Sequence, residues 1–176
     1  MTSSPSTTVA VPETRTRRVL HRLRAFLVVA ALVVVADQWT KSLVRARLDL
    51  GEQWPEGWWL IHLTHTQNTG AAFGVLQGAG GALTIVGFGA IAGITFVLLT
   101  LPARNRLYTI ALSAILGGAI GNLIDRLRLG AVTDFIEPTH YPAFNIADSA
   151  IVVGVCTLLA LTWFEREPAD APEAAS

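Results

Sequence analysis

From Leu107 to Asp125 the chain reads LYTIALSAILGGAIGNLID, an uncharged run that ends on an aspartate. The run has the length and composition of a membrane-spanning helix, which needs about 20 mostly apolar residues. Its GGAIG segment is a pattern of small residues that lets a neighbouring helix approach closely. A carboxylate at the edge of such a run is costly unless it is paired or used, so Asp125 is a candidate functional residue.

A second aspartate, Asp148, precedes the uncharged run from Ser149 to Phe164. Each acid has an asparagine three residues earlier, Asn122 and Asn145 respectively. If the two runs are consecutive membrane helices, both acids emerge on the same side and can meet. A pair of carboxylates with separated proton affinities is the core of an aspartic hydrolase.

Helix polarity predicts how the two acids divide the proton. Asp125 is expected at the C-terminal end of its helix, where the macrodipole disfavours a negative charge, whereas Asp148 is expected at an N-terminal end. Asp125 is then the better proton holder. Arg126 opposes this assignment by stabilising an ionised Asp125, so the two acids are treated as one coupled pair.

The composition indicates a membrane protein. Only 15% of the 176 residues are charged and the mean hydropathy is +0.49, which is typical of several membrane spans. The N-terminal arginines stand next to a span and not on a basic domain, which argues against a nucleic-acid partner. Cys156 is the one cysteine, so a disulfide or a cysteine metal site within the chain is excluded.

The apolar runs predict an all-α membrane protein with four transmembrane helices. A small extracytoplasmic β element is expected between the first two helices, since the segment from residue 48 to 81 is broken by turn residues and carries tryptophans suited to the membrane interface. The first predicted span begins at Ala25. The other three run from Leu83 to Leu101, from Leu107 to Ile124 and from about Ile146 to Phe164. The segments outside the four-span domain 25–164 are expected to be a disordered basic cytoplasmic tail, 1–24, and an acidic cytoplasmic tail, 165–176. An external loop is expected over 125–145.

Charge placement predicts the topology. Arginines crowd the chain before the first span and stand again between the second and third, which marks the cytoplasmic side. Both termini are then cytoplasmic, and Asp37, Asp125 and Asp148 lie at the outer face. Lys41, Arg45 and Arg47 weaken this charge bias, because they would lie on the outer side. The basic start and short apolar run also imitate a cleavable secretory signal, but the run can continue through Leu43 to span length.

Three other groups of polar residues are candidates for a functional or structural role. His62 and His65 stand three apart in a predicted strand, so they point to opposite faces and no metal site is expected. Asp134 could be a third acid, but its position in a loop favours a turn role. Asp37 and Lys41 are four apart on a helix and predict an ion pair. The alternative function is a small transporter or proton relay that uses the same carboxylates.

Five motifs in order resemble lipoprotein signal peptidase (signal peptidase II), the bacterial membrane aspartic protease family. The resemblance covers about residues 25–165. The motifs are DQWTK from Asp37, NTGAAFG from Asn68, GGAIGNLIDR from Gly117, VTDF from Val132 and FNIAD from Phe144.

The resemblance implies an enzyme without a cofactor that cuts diacylglyceryl-modified prolipoproteins before the lipidated cysteine, in the bacterial cytoplasmic membrane and in contact with lipid. It implies inhibition by globomycin-type depsipeptides and leaves the oligomeric state open. Asp125 and Asp148 would form the catalytic dyad, with Asp37 and Lys41 as structural support. The implied substrate-binding residues are Asn68, Gly70, Asn122, Arg126 and Asn145.

Overall fold

The structure is a computed structural model that describes residues 15–57, 60–70, 80–100 and 105–164. Within these ranges it has four helices and a three-stranded antiparallel sheet, which confirms the predicted fold class. The helices are α1 (Arg15–Arg47), α2 (Gly80–Thr100), α3 (Arg106–Leu129) and α4 (Ile146–Phe164), and the strands are β1 (Gln53–Trp54), β2 (Ile61–Asn68) and β3 (Val132–Pro138).

The helix boundaries correct the sequence prediction at two places. Helix α1 begins at Arg15, so residues 15–24 are helical and do not belong to a disordered tail. Helix α3 continues to Leu129, and Asp125 therefore lies inside the helix and not at its C-terminal end. Gly130, with a φ of 75°, supplies the left-handed C-cap, and its N–H bonds the carbonyl of Arg126. Residues 1–14 and 165–176 lie outside the described part of the chain.

All four helices are long and apolar enough to cross a membrane. Helix α3 is the central one, since 61% of its most apolar stretch is buried, against 6% to 17% in the other three. It packs against α1, α2 and α4. The other helices expose mainly apolar side chains, among them Leu32, Ile85 and Leu159, as lipid-facing helices do.

The small residues of α3 let its neighbours approach on two sides. A Cβ on Gly117 would lie 2.7 Å from the carbonyl oxygen of Ala30 in α1, and one on Gly118 would lie 2.4 Å from that of Ala147 in α4. These distances are too short for any side chain, so the close packing predicted from the GGAIG segment is present. Through these contacts α3 brings polar groups of α1 and α4 to one end of the bundle.

The sheet covers that end of the bundle. Strand β2 lies in the middle and pairs antiparallel with β1 on one side and β3 on the other. The predicted β element between the first two helices is therefore present, but its third strand comes from the segment expected to be a loop. The pairing of β2 with β3 shifts by one residue between Leu63 and Thr66, and consecutive residues Thr64 and His65 are both buried there, as a bulge allows.

The chain passes from the sheet into α4 with a fixed geometry. Phe144 pairs with Ile136 of β3 through two backbone hydrogen bonds, of 2.8 and 3.0 Å. Asn145 follows immediately and α4 begins at Ile146. The start of α4 is thereby attached to the sheet, and the side chains of β3 and of the first turn of α4 lie side by side.

Candidate active site

A buried lysine organises the polar end of the bundle. Lys41 and Asp37 are both 0% exposed, and the predicted ion pair between them is present, with Nζ 2.8 Å from Oδ2. The other oxygen of Asp37 accepts a 3.0 Å hydrogen bond from the backbone N–H of Ala147 at the start of α4. Asp37 therefore links α1 to α4 and places a negative charge where the α4 dipole favours it.

Asp125 lies in the same cluster and is fully engaged. Its Oδ2 is 3.3 Å from Lys41 Nζ and accepts a 3.0 Å hydrogen bond from the backbone N–H of Thr133. Its Oδ1 accepts a 3.1 Å hydrogen bond from the side-chain amide of Gln38 and lies 3.9 Å from a guanidinium nitrogen of Arg45. With 1% exposure and these contacts on both oxygens, the Asp125 carboxyl group is fixed in one orientation.

Asp148 and Asn145 form a reciprocal cap at the start of α4. Asn145 Oδ1 accepts a 2.9 Å hydrogen bond from the N–H of Asp148, and Asp148 Oδ2 accepts a 3.4 Å hydrogen bond from the N–H of Asn145. The pattern is that of a capping box. Asn145 is thus the N-cap of α4, and the cap fixes the direction in which the Asp148 carboxylate leaves the helix.

Asp134 lies in the middle of β3, not in a turn as the sequence favoured. Its Oδ1 accepts a 2.7 Å hydrogen bond from the side-chain amide of Asn145, and its Oδ2 accepts one of 3.0 Å from that of Asn68. Burial, together with the nearby charge of Asp148, raises the pKa of Asp134 to about 6, against the opposing effects of the two amide donors and Lys41. The carboxyl is therefore poised to take up a proton.

Two asparagine amides join these groups. Asn122 donates a 2.7 Å hydrogen bond to Asp148 Oδ1 and, through its oxygen, accepts hydrogen bonds from Lys41 Nζ at 3.0 Å and from the Asn145 amide at 3.2 Å. Asn145 contacts both Asp134 and Asp148. The side chain of Asn145 therefore connects the Asp134 carboxyl group to the backbone of Asp148, while Asp125 contacts neither amide and faces the lysine.

An open cavity of about 490 Å³ lies beside the sheet. Asp134 and Asp148 both line it, whereas Asp125 does not. Its other lining residues come mostly from the end of β2 and from the segment before α4: Thr66, Gln67, Asn68, Thr69, Glu137, Tyr141, Pro142, Ala143 and Phe144. Two carboxyl groups that share a cavity and differ in environment can activate a water and deliver a proton.

The other residues implied as substrate-binding fall into two places. Asn68 lines the cavity, and its Oδ1 accepts a 2.9 Å hydrogen bond from the N–H of Gly70, whose φ of 108° suits glycine. Arg126 is half-buried on α3, close enough for its charge to interact with Asp148, Asp134 and Asp125. The rest of the NTGAAFG motif, residues 71–74, lies outside the described residues.

Sequence reasoning underrated Asp134 and passed over Gln38 and Thr133. The run Val132–Ile136 is rich in β-branched and aromatic residues, and this composition favours a strand. Read as a strand, it places Asp134 on a pleated face and makes a turn role poor. Gln38 carried no such signal, because its contact with Asp125 joins parts of the chain 87 residues apart. Thr133 carried none because it contacts Asp125 through its backbone N–H, which any residue type would supply.

The fold and the site define a multi-span membrane protein with buried carboxyl groups around a cavity at one end of its helices. The family described as signal peptidase (SPase) II matches residues 29–164. The chain is 40% identical over 136 residues to a lipoprotein signal peptidase of Brevibacillus brevis, covering 76% of this chain and 91% of that one. It is 46% identical over 135 residues to one of Caldanaerobacter subterraneus, covering 75% and 91%.

Solved structures agree with this assignment. A bacterial membrane enzyme solved by the in meso method at 2.3 Å superimposes with a TM-score of 0.76 and 27% identity, covering 85% of this chain and 94% of that one. A second, solved at 1.9 Å, gives 0.72 and 28%, covering 81% and 94%. The chain belongs to the signal peptidase II family, the aspartic peptidases that remove signal peptides from lipoproteins. This membership decides for a peptidase over the transporter alternative.

Proposed function

We propose that the protein cuts diacylglyceryl-modified prolipoproteins immediately before the lipidated cysteine, with water activated between Asp134 and Asp148. One observation carries the proposal: these two carboxyl groups line the same cavity and both accept from Asn145, Asp134 from its side-chain amide and Asp148 from its backbone N–H. Both oxygens of Asp134 accept from neutral amides, and no ammonium or guanidinium nitrogen lies within 4 Å of either acid among the described residues.

The pair predicted from the sequence was Asp125 with Asp148, and it stays a prediction. The geometry supports Asp134 in place of Asp125 for two reasons. Asp125 is tied to Lys41 and to the N–H of Thr133, so a proton on it would break an ion pair in a buried site. It also does not line the cavity in which a peptide and a water would meet.

The two acids take different roles in the reaction. Asp148, ionised, accepts a proton from a water as the oxygen of that water adds to the scissile carbonyl carbon. Asp134, protonated, gives its proton to the carbonyl oxygen, because burial raises its pKa to about 6. When the C–N bond breaks, Asp148 passes its proton to the leaving nitrogen, and Asp134 recovers its own from the new carboxyl group.

The membrane location of the site follows the charge pattern. With both termini in the cytoplasm, the cavity and the sheet lie at the outer face of the bacterial cytoplasmic membrane. A signal peptide is itself a membrane helix, and its scissile bond then reaches the aqueous rim of the bundle, with the diacylglyceryl chains in lipid. A globomycin-type cyclic depsipeptide would occupy the same cavity. Reporter fusions at residues 60 and 138 are expected to be extracytoplasmic, and a cytoplasmic result at both would oppose this placement.

The activity is tested with purified protein in detergent micelles and a synthetic diacylglyceryl prolipoprotein. The expected product begins at the lipidated cysteine and is identified by its mass. The matched control is the same peptide with an unmodified cysteine, which is expected to be cut far more slowly. A cut at any other bond, or equal cutting of both peptides, would refute the proposed specificity.

A further inference from the structure

Lys41 meets three acceptors and has no hydrogen left to donate. Its Nζ lies 2.8 Å from Asp37 Oδ2, 3.3 Å from Asp125 Oδ2 and 3.0 Å from Asn122 Oδ1. A lysine ammonium has three hydrogens and no lone pair. The group facing it at the third position must therefore be an acceptor, which for an asparagine means the amide oxygen.

This requirement determines which way the Asn122 amide points. With Oδ1 toward Lys41, Nδ2 lies on the far side and donates a 2.7 Å hydrogen bond to Asp148 Oδ1. A reversed amide would place an NH₂ group against the ammonium and an oxygen against the Asp148 carboxylate. Both contacts would be repulsive, and the Asn145 amide, which also donates to Asn122 Oδ1, would lose its acceptor.

We infer that Lys41 is a positioning residue for the reaction: by holding the oxygen of Asn122, it makes Asn122 a donor to Asp148. The inference rests on the proposed function, in which Asp148 is the base. Asp125 and Asp37 contribute by holding the ammonium in place. Lys41 is 0% exposed and does not line the cavity, so it acts through the asparagine and not on the substrate.

The same arrangement connects to the second acid. Asn145 uses its NH₂ group toward both Asn122 Oδ1, at 3.2 Å, and Asp134 Oδ1, at 2.7 Å. When Lys41 holds Asn122, the Asn122 oxygen also accepts from Asn145, and the same Asn145 amide donates to Asp134. Turning Asn122 would affect the hydrogen bonds of both acids, which is why a lysine outside the cavity has an effect on turnover.

The test is a double-mutant cycle between Lys41 and Asn122. Removal of the lysine alone would leave two buried carboxylates facing an apolar side chain, so the cycle is made in an Asp37→Asn background. Lys41→Met is expected to lower kcat by about 10-fold to 100-fold when Asn122 is present, as loss of a hydrogen bond to a charged group would do. In Asn122→Ala protein it is expected to cost less than about threefold.

The KM and a matched variant separate positioning from a general loss of structure. The KM is expected to change little, because Lys41 does not line the cavity. The matched variant is Arg45→Met, which also removes a cation near Asp125. The hydrogen bonds of Arg45 go to Thr133 and Ser42, and not to Asn122. Its kcat is expected to stay within about threefold of wild type. An equal cost of Lys41→Met with and without Asn122, or no cost at all, would overturn the inference.

Asn122→Asp tests the same point if the lysine variants do not insert. An aspartate can still accept from Lys41 but cannot donate to Asp148. Its negative charge also acts on Asp148, which already interacts with the negative charge of Asp134 and the positive charge of Arg126. The acidic limb of the kcat profile is expected to move to higher pH, and an unmoved limb would overturn the inference. Active Asp134→Asn or Asp148→Asn protein would instead show that the proposed function has failed.

Discussion

The chain carries the spacing Asn-x-x-Asp twice, at Asn122–Asp125 and at Asn145–Asp148, and the two copies have opposite environments. The first lies within α3 and turns both side chains toward Lys41. The second straddles the start of α4, where the asparagine caps the helix and the aspartate lines the cavity. One sequence pattern thus yields a buried ion network in one place and a carboxyl group that lines the cavity in the other.

The difference arises from the backbone and not from the side chains. Inside a helix, residues three apart share a face, so Asn122 and Asp125 point at the same neighbour. At a helix start, the same spacing closes a capping box, in which each side chain bonds the other residue's backbone. Spacing alone therefore cannot identify a catalytic aspartate. The partner of Asp148 is found through the cavity, and there the structure offers Asp134.

The largest effect is expected from the acids at the cavity. Asp134→Asn, Asp148→Asn and the double variant should each lower the cleavage rate by about 10³-fold or more, to one common background, because acids that act together show non-additive losses. The measurement is the rate of prolipoprotein cleavage at matched protein levels. A modest loss of thermal stability should accompany each change, since both oxygens of each acid accept hydrogen bonds and the asparagine NH₂ group replaces one acceptor. Substantial activity in either single variant would refute the pair.

Asp125→Asn is expected to have a smaller effect on rate and a larger one on stability. It weakens the hold on Lys41 inside a buried network, so the melting temperature should fall and the rate should drop by about 10-fold to 100-fold. Cleavage rate and thermal unfolding in detergent are measured together. A rate at the background of Asp148→Asn with wild-type stability would instead support the pair predicted from the sequence, Asp125 with Asp148.

Gly118→Ala tests whether the two copies must be held close together. The new Cβ would meet the carbonyl oxygen of Ala147 at 2.4 Å, so α3 and α4 must separate at a cost of about 1–3 kcal/mol. The matched control is Gly89→Ala in α2, where the Cβ would find no atom within 4 Å. Thermal unfolding should show a loss in the first variant only. Equal behaviour of the two would contradict the packing.

The smallest effect is expected from Asn68→Ala. Asn68 donates to the Asp134 carboxylate and so favours its charged form, and its removal should raise the pKa of Asp134 above the present value of about 6. Because Asp134 must deliver a proton, kcat/KM should fall as the pH rises through about 6 in the wild type and at a higher pH in the variant. Processing should weaken by several-fold. If the fall in kcat/KM occurs at the same or a lower pH in the variant, Asn68 does not control the pKa of Asp134.

Stability should follow the same group with a definite sign. The pKa of Asp134 is raised above the ordinary value of 3.8, so folding favours its protonated form. Its contribution to stability is complete below about pH 4 and is lost as the pH rises through about 6. In Asp134→Asn protein this part of the pH dependence of the melting temperature should disappear.

The sequence predicted the spans well and the site in part. Four apolar runs were enough for four helices, and the fourth was placed correctly at Ile146–Phe164, because its capping residues stand directly before an uncharged run. The sequence predicts the end of α3 too early, because a charged residue such as Asp125 resembles the boundary of an apolar span, whereas α3 ends at Leu129. Helix α3 continues past Asp125 inside the bundle because Lys41 of α1 neutralises the charge of Asp125. This contact joins residues that are 84 positions apart in the chain.

Local properties of the sequence establish the class of protein: the lengths of the apolar runs, the small residues of GGAIG and the ion-pair spacing of Asp37 and Lys41. Which carboxyl group shares the cavity with Asp148 depends on how the helices and the sheet pack. Asp125 and Asp134 are both aspartates close to the end of one helix, and they differ in whether a lysine from α1 or amides from β2 and α4 meet them. Those partners come together only when the helices and the sheet pack, because the environment of a charge depends on neighbours in space and not in sequence.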